Sequence, residues 1–130
     1  MSGSVPAPAE ALIESAPSMA HLATCADGRP HVAPVWYVYE DDVVEITTGG
    51  RKLTNIRSNP RVALSIQHDE DGDTRWMVSL LGTATVVDDD EQFQATNRRI
   101  NEKYGVEPDS YAENVLVRIE VGSATYRTYD

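Results

Sequence analysis

The chain has 130 residues, 41% of them hydrophobic, with 21 acidic against 11 basic side chains and a formal net charge of −10. That length suits one domain with a single core, and the carboxylate excess speaks against general nucleic-acid binding, which draws on basic surface. No apolar run approaches a membrane-spanning length, no signal-peptide pattern opens the chain, and the lone cysteine, Cys25, excludes an internal disulfide, all of which points to the cytoplasm.

Residues 1–8 read as a flexible lead-in and residues 9–130 as the one domain. A short helix is expected over 9–15, with Leu12 and Ile13 facing inward and Pro17 stopping it. Strands then dominate. The first covers 19–25, where Cys25 reads as a small buried residue, and Asp27-Gly28-Arg29-Pro30 is a turn signal. The second covers 31–39, and Pro34 inside it demands an edge, a bulge or a ligand-lining position. Glu40-Asp41-Asp42 turns the chain into a third strand, 43–48, followed by a two-turn helix over 51–58 stopped by Asn59-Pro60. Residues 61–68 alternate cleanly, with Val62, Leu64 and Ile66 on one side. An acidic loop over 69–73 leads to a long strand, 74–87, expected to bend at Gly82. The helix over 91–104 carries a stripe of Phe93, Ile100 and Tyr104, with Asp88–Asp90 at its positive end and Gly105 beyond it. The last strand covers 114–128. Six strands with hairpin spacing and few helices predict a mainly β fold, an antiparallel barrel with helices at its ends.

Against the acidity of the whole, residues 46–68 contain no Asp or Glu but do contain Arg51, Lys52, Arg57 and Arg61. Lys52 is one of only two lysines, the other being Lys103. Such carboxylate excess with scarce lysine also suits a protein working at high salt. The segment Thr47-Thr48-Gly49-Gly50-Arg51-Lys52 runs from a strand end through glycines into a helix start. Free amides, hydroxyls and cations together make a phosphate cradle. An ordinary strand–turn–helix junction with its cations in solvent explains the island equally well.

Three segments in order carry a resemblance. Asp27-Gly28-Arg29-Pro30-His31-Val32-Ala33-Pro34-Val35-Trp36 resembles the opening hairpin of the pyridoxamine 5′-phosphate oxidase-like split-barrel flavoproteins. So does Thr47–Lys52 followed by Asn55-Ile56 and Asn59-Pro60-Arg61-Val62-Ala63-Leu64, and the likeness continues through residues 75–84. It spans roughly residues 10–128. The resemblance implies a homodimer of six-stranded split barrels with flavin sites at the subunit interface. Val32, Ala33, Pro34, Val35 and Trp36 would lay their backbone along the flavin ring. Thr47 and Thr48 would donate hydroxyls to the phosphate, and Arg51 and Lys52 would neutralise it. Arg75, Trp76 and Met77 fall where the family places ring or ribityl contacts, often to the neighbouring subunit.

True pyridoxamine phosphate oxidases close with a segment rich in Trp, Gly and Arg, which residues 120–130 lack, so the vitamin-making activity is not expected. The chain is more similar to the short members, which bind FMN, the 5-deazaflavin coenzyme of the F-420 type, or haem. Arg57 and Arg29 are candidates for the deazaflavin's extra anionic tail. The resemblance implies a flavin- or deazaflavin-dependent oxidoreductase for a small substrate, or a protein that stores or senses flavin without turnover. The ring would do the chemistry, and no side chain is assigned as catalytic acid or base.

Other signals are weaker. His21, His31 and His68 match no metal spacing, and the loop 69–73 lacks the glycine position and bidentate Glu of a calcium loop. Ser65 and Ser79 have no neighbouring His–Asp arrangement.

Overall fold

The computed structural model describes residues 3–15 and 17–129; Met1 and Ser2 of the expected lead-in, with Ala16 and Asp130, lie outside the described residues. In chain order the elements are α1 (Ala7–Glu14), β1 (Ala20–Ala26), β2 (Arg29–Val35), β3 (Val38–Glu40), β4 (Val43–Thr48), α2 (Gly50–Ser58), β5 (Arg61–Glu70), β6 (Asp73–Val87), α3 (Asp90–Lys103) and β7 (Val115–Thr128).

Three hairpins share one turn chemistry. Asp27-Gly28, Asp41-Asp42 and Asp71-Gly72 each place two consecutive residues at positive φ, the condition for a two-residue turn that matches strand twist. The third of these shortens the expected acidic loop. β5 runs on to Glu70 and β6 begins at Asp73.

All strands join one antiparallel sheet in the order β2-β1-β5-β6-β7-β4-β3. The sheet has seven strands where six were expected, because the segment 31–39 is broken at Trp36 and Tyr37. The break has a physical cause. The Tyr37 N–H donates to Tyr104 Oη at 3.4 Å, and Lys103 Nζ donates to the Tyr37 carbonyl at 2.8 Å. Side chains from α3 therefore take the place of a neighbouring strand at this one peptide. β2 and β3 stand at opposite edges of the sheet, yet Val35 and Val38 are three residues apart and so within roughly 11 Å. The sheet therefore curls until its edges meet at Trp36–Tyr37, with no ladder closing the seam. Pro34, which has no N–H to give, lies on the edge strand β2.

Alternate residues of the strands fill the interior, among them Leu22, Ile46, Leu64, Ile66, Leu80 and Ile119. α1 adds Ala9 and Ile13, one turn apart on one face. Within the expected lead-in, Ser4 and Val5 donate their N–H groups to the Asp42 carboxylate, both at 3.0 Å, and Val5 is buried. At Gly82 the β6–β7 ladder shifts register, and an added Cβ would lie 2.7 Å from the Glu120 carbonyl oxygen. β7 crosses so closely there that only glycine fits without movement.

Candidate cofactor site

A cavity of about 630 Å³ opens beside the Trp36–Tyr37 corner, between the ends of β2 and β4, the start of α2, and α3 with the loop after it. Its two sides differ in chemistry. Pro34, Val35, Trp36, Ile100 and Tyr111 make an apolar, aromatic side. Thr47, Thr48, Gly49, Gly50, Lys52 and Asn114 make a polar one.

The aromatic side is built in layers. Trp36 stacks on Tyr104 with ring centroids 4.8 Å apart and planes 5° from parallel, and meets Tyr111 edge to face at 5.6 Å. Tyr104 Oη donates to the Ser18 carbonyl at 2.6 Å, and burial pushes this phenol up to about 12. Lys103 lies beside it, its ammonium 3.7 Å from the Tyr37 ring centroid, and burial lowers the amine to about 8.

The polar side is the end of β4 and the start of α2. Gly49 caps α2 with extended backbone and no side-chain hydrogen bond, and the first turn carries no acid. The helix therefore presents unsatisfied amides and the positive end of its dipole where Gly49, Gly50 and Lys52 border the cavity. Gly50 has φ +62, and a Cβ there would meet nothing within 4 Å. The left-handed turn that glycine permits thus opens space in front of the helix end. Lys52 is half-buried, and among the described residues no carboxylate lies within 4 Å of its ammonium.

Two asparagines on one face of α3 hold the loop that completes the site. Buried Asn101 donates to the Pro108 and Ser110 carbonyls, both at 2.9 Å, and Asn97 donates to the Ser110 carbonyl at 2.8 Å. Asn97 Oδ1 in turn accepts from Thr47 Oγ1 at 3.1 Å, and Asn114 Nδ2 donates to the Thr47 carbonyl at 3.3 Å. The Thr47 proton is therefore committed to α3. The Thr48 hydroxyl forms no hydrogen bond among the described residues.

Of the residues the sequence singled out, the structure brings Pro34, Val35, Trp36, Thr47, Thr48 and Lys52 to one cavity. Val32 points outward, 64% exposed, and Ala33 is half-buried off the cavity. Arg51 is exposed and does not line it. Arg75 is 3.9 Å from the Glu70 carboxylate, Trp76 is buried in the core beside His68, and Met77 accepts from Tyr129 Oη at 3.5 Å. None of these three borders the chain's own cavity. Sequence reasoning missed Met19, Ile100, Asn101, Tyr111, Glu113 and Asn114 as lining residues. Of these, Asn101 left a trace, as a polar residue four from Asn97 on the helix face that also carries Phe93, Ile100 and Tyr104.

The described geometry fits a phosphorylated planar ligand: an uncapped helix end with an unpaired lysine at one side, and aromatic surface at the other. Among the described residues no cluster of three or more His, Cys, Asp or Glu is placed to hold a metal, and no helix is long and apolar enough to cross a membrane.

Residues 6–127 match the family described as pyridoxamine 5′-phosphate oxidase. The chain belongs to that family. No curated protein matches it. Among solved structures, this family member is similar to an F420 reductase at 28% identity, TM-score 0.76, covering 93% of this chain and 98% of that one. It is similar to a conserved hypothetical protein of Mycobacterium tuberculosis at 26% identity, TM-score 0.75, covering 92% and 81%. A FAD-binding protein of Mesorhizobium loti shares the fold at 23% identity, TM-score 0.70, covering 87% of each chain.

Proposed function

We propose that this chain is an oxidoreductase that binds a phosphorylated flavin, FMN or the F-420-type deazaflavin, in the cavity beside Trp36 and serves a small organic substrate. One observation carries the reading: the uncapped start of α2, with no carboxylate within 4 Å of Lys52 among the described residues, shares a cavity with Trp36, whose ring is braced by stacking on Tyr104. Lys52 and the α2 amides would hold the phosphate, and Thr48 has a free hydroxyl to add to them. Trp36, Pro34 and Val35 would carry the ring, and the apolar side would exclude water from it. Bound there, the ring supplies hydride or electron transfer.

The likeness to an F420 reductase supports the deazaflavin. So do Arg51, Arg57 and Arg29, exposed cations with no acidic partner within 4 Å among the described residues, which suit a longer anionic tail.

The site would be completed in a homodimer. Val32, Ala23, Ala63 and Leu81 stand side by side across four adjacent strands, β2, β1, β5 and β6, on the outward face of the sheet. Val32 and Leu81 are 64% and 60% exposed, with alanines between them, so the face is apolar and suited to a second copy.

Titration of the purified protein with FMN and with the deazaflavin tests the reading. Saturable binding of one of them per chain, followed by oxidation of the reduced ligand in a substrate panel, is the expected result. Binding without turnover on any substrate would leave a storage or sensing protein. Binding of neither would remove the flavin.

A further inference from the structure

The chain has two lysines, and only Lys52 is accounted for by the proposed phosphate cradle. Lys103 closes α3 with its ammonium boxed between two rings, 3.7 Å from the centroid of Tyr37 and 5.3 Å from that of Tyr104. Its one hydrogen bond goes to the Tyr37 carbonyl at 2.8 Å, and no carboxylate lies within 4 Å among the described residues. Glu14, exposed at the end of α1, acts on it only at longer range.

A neutral donor would satisfy the Tyr37 carbonyl as well, and a neutral side chain would pack on Tyr37 at lower desolvation cost. What an ammonium adds is charge. That charge lies 5.3 Å from the centre of the Tyr104 ring, Tyr104 stacks on Trp36, and Trp36 lines the cavity. The two rings pack 4.8 Å apart and the half-buried ammonium rests against Tyr37 and Tyr104, which weakens screening by water.

We propose that Lys103 is a positioning residue that favours the reduced form of the ring carried by Trp36, by fixing the Tyr37 peptide and holding a positive charge, with no carboxylate within 4 Å among the described residues, beside the Trp36–Tyr104 stack. The inference rests on the flavin reading above and adds a residue to it that touches neither ring nor phosphate. Two-electron reduction of a flavin with uptake of one proton adds one negative charge to the ring. A cation held beside the stack would stabilise that product relative to the oxidised form. Burial keeps the amine near 8, so it is still mostly charged at neutral pH. In a poorly solvated wall, one unit charge at this range moves an equilibrium on the order of tenfold.

The experiment is a reductive titration of the FMN-loaded full chain at pH 6.5, with dithionite as reductant and a reference dye. Lys103→Gln keeps a donor for the Tyr37 carbonyl and removes the charge, and Lys103→Arg keeps the charge. The expected result is that Lys103→Gln loses about tenfold of the preference for reduced over oxidised FMN, a fall of about 30 mV for a two-electron couple. Lys103→Arg should stay near the wild type. An unchanged potential in Lys103→Gln with FMN still bound would overturn the inference and leave the flavin reading standing. Failure of the wild type to bind FMN or the deazaflavin would overturn both. Should Lys103→Gln not fold, Glu14→Gln on the exposed end of α1 carries the same test. Removing that acid leaves the ammonium less compensated and must raise the potential, and no movement overturns the inference.

Discussion

Substituting Lys52 by alanine tests the polar half of the cavity in isolation. Its ammonium is half-buried, borders the cavity and faces no carboxylate within 4 Å among the described residues. No described carboxylate pairs with it, so a bound phosphate would receive its charge-assisted hydrogen bond. Such bonds contribute about 1–3 kcal/mol. Partial burial places Lys52 near the middle, about 2 kcal/mol, or roughly thirtyfold in Kd. Neighbouring Arg51 is exposed and off the cavity, where a charge contributes at most about 1 kcal/mol. The assay is a fluorescence or calorimetric titration of FMN and of the deazaflavin into wild type, Lys52→Ala and Arg51→Ala at low and physiological salt. The expected order is a large loss for Lys52→Ala and a small, salt-sensitive one for Arg51→Ala. Equal losses, or an unchanged Kd in Lys52→Ala, would refute the assignment of the cradle.

Four further outcomes are expected. Gly82→Ala should destabilise the fold by about 1–3 kcal/mol in urea, because its Cβ would press on the Glu120 backbone at 2.7 Å; an unchanged midpoint would contradict that. Glu45→Ala should cost about 2 kcal/mol, since this carboxylate, 14% exposed, holds Arg118 at 2.8 Å and Thr96 at 3.0 Å and ties α3 to the sheet; a loss under about 0.5 kcal/mol would reduce the cluster to surface decoration. Leu81→Arg should convert a dimer to a monomer in light scattering, and a variant dimer of unchanged mass would move the interface off the Val32–Leu81 face. Stability should rise as pH climbs from about 8 toward 10, because unfolded Lys103 still binds a proton there that the native amine has released. It should fall above 10, where unfolded tyrosines ionise while buried Tyr37 and Tyr104, raised above their ordinary 10.0, do not. A Lys103→Gln variant should lose the rise and keep the fall, and a wild type that only declines above pH 8 would contradict the sign.

Local features of the fold were legible where the physics is local. The Asp-Gly pairs announced their turns, the alternation of Val62, Leu64 and Ile66 announced the buried face of β5, and Asp89 accepts from the Gln92 N–H at 3.0 Å at the start of α3. The break at Trp36–Tyr37 was not, because the groups that take its hydrogen bonds lie on Lys103 and Tyr104, far along the chain. For the same reason Thr47 read as a ligand donor, although its proton goes to Asn97, fifty residues away. Lys52 and Thr48 stood out through charge scarcity and the glycine turn. Tyr111, Glu113 and Asn114 lie in an irregular loop with no period to read, and residues far along the chain, on α3, β4 and at Trp36, decide where that loop sits.

The cavity's occupant is the central question, and a crystal of the full chain soaked with FMN or the deazaflavin answers it most directly. The account predicts phosphate density within hydrogen-bond reach of Lys52 Nζ and the first amides of α2, with the ring lying against Trp36. Density elsewhere, or none while Lys52 extends into bulk solvent, would contradict it.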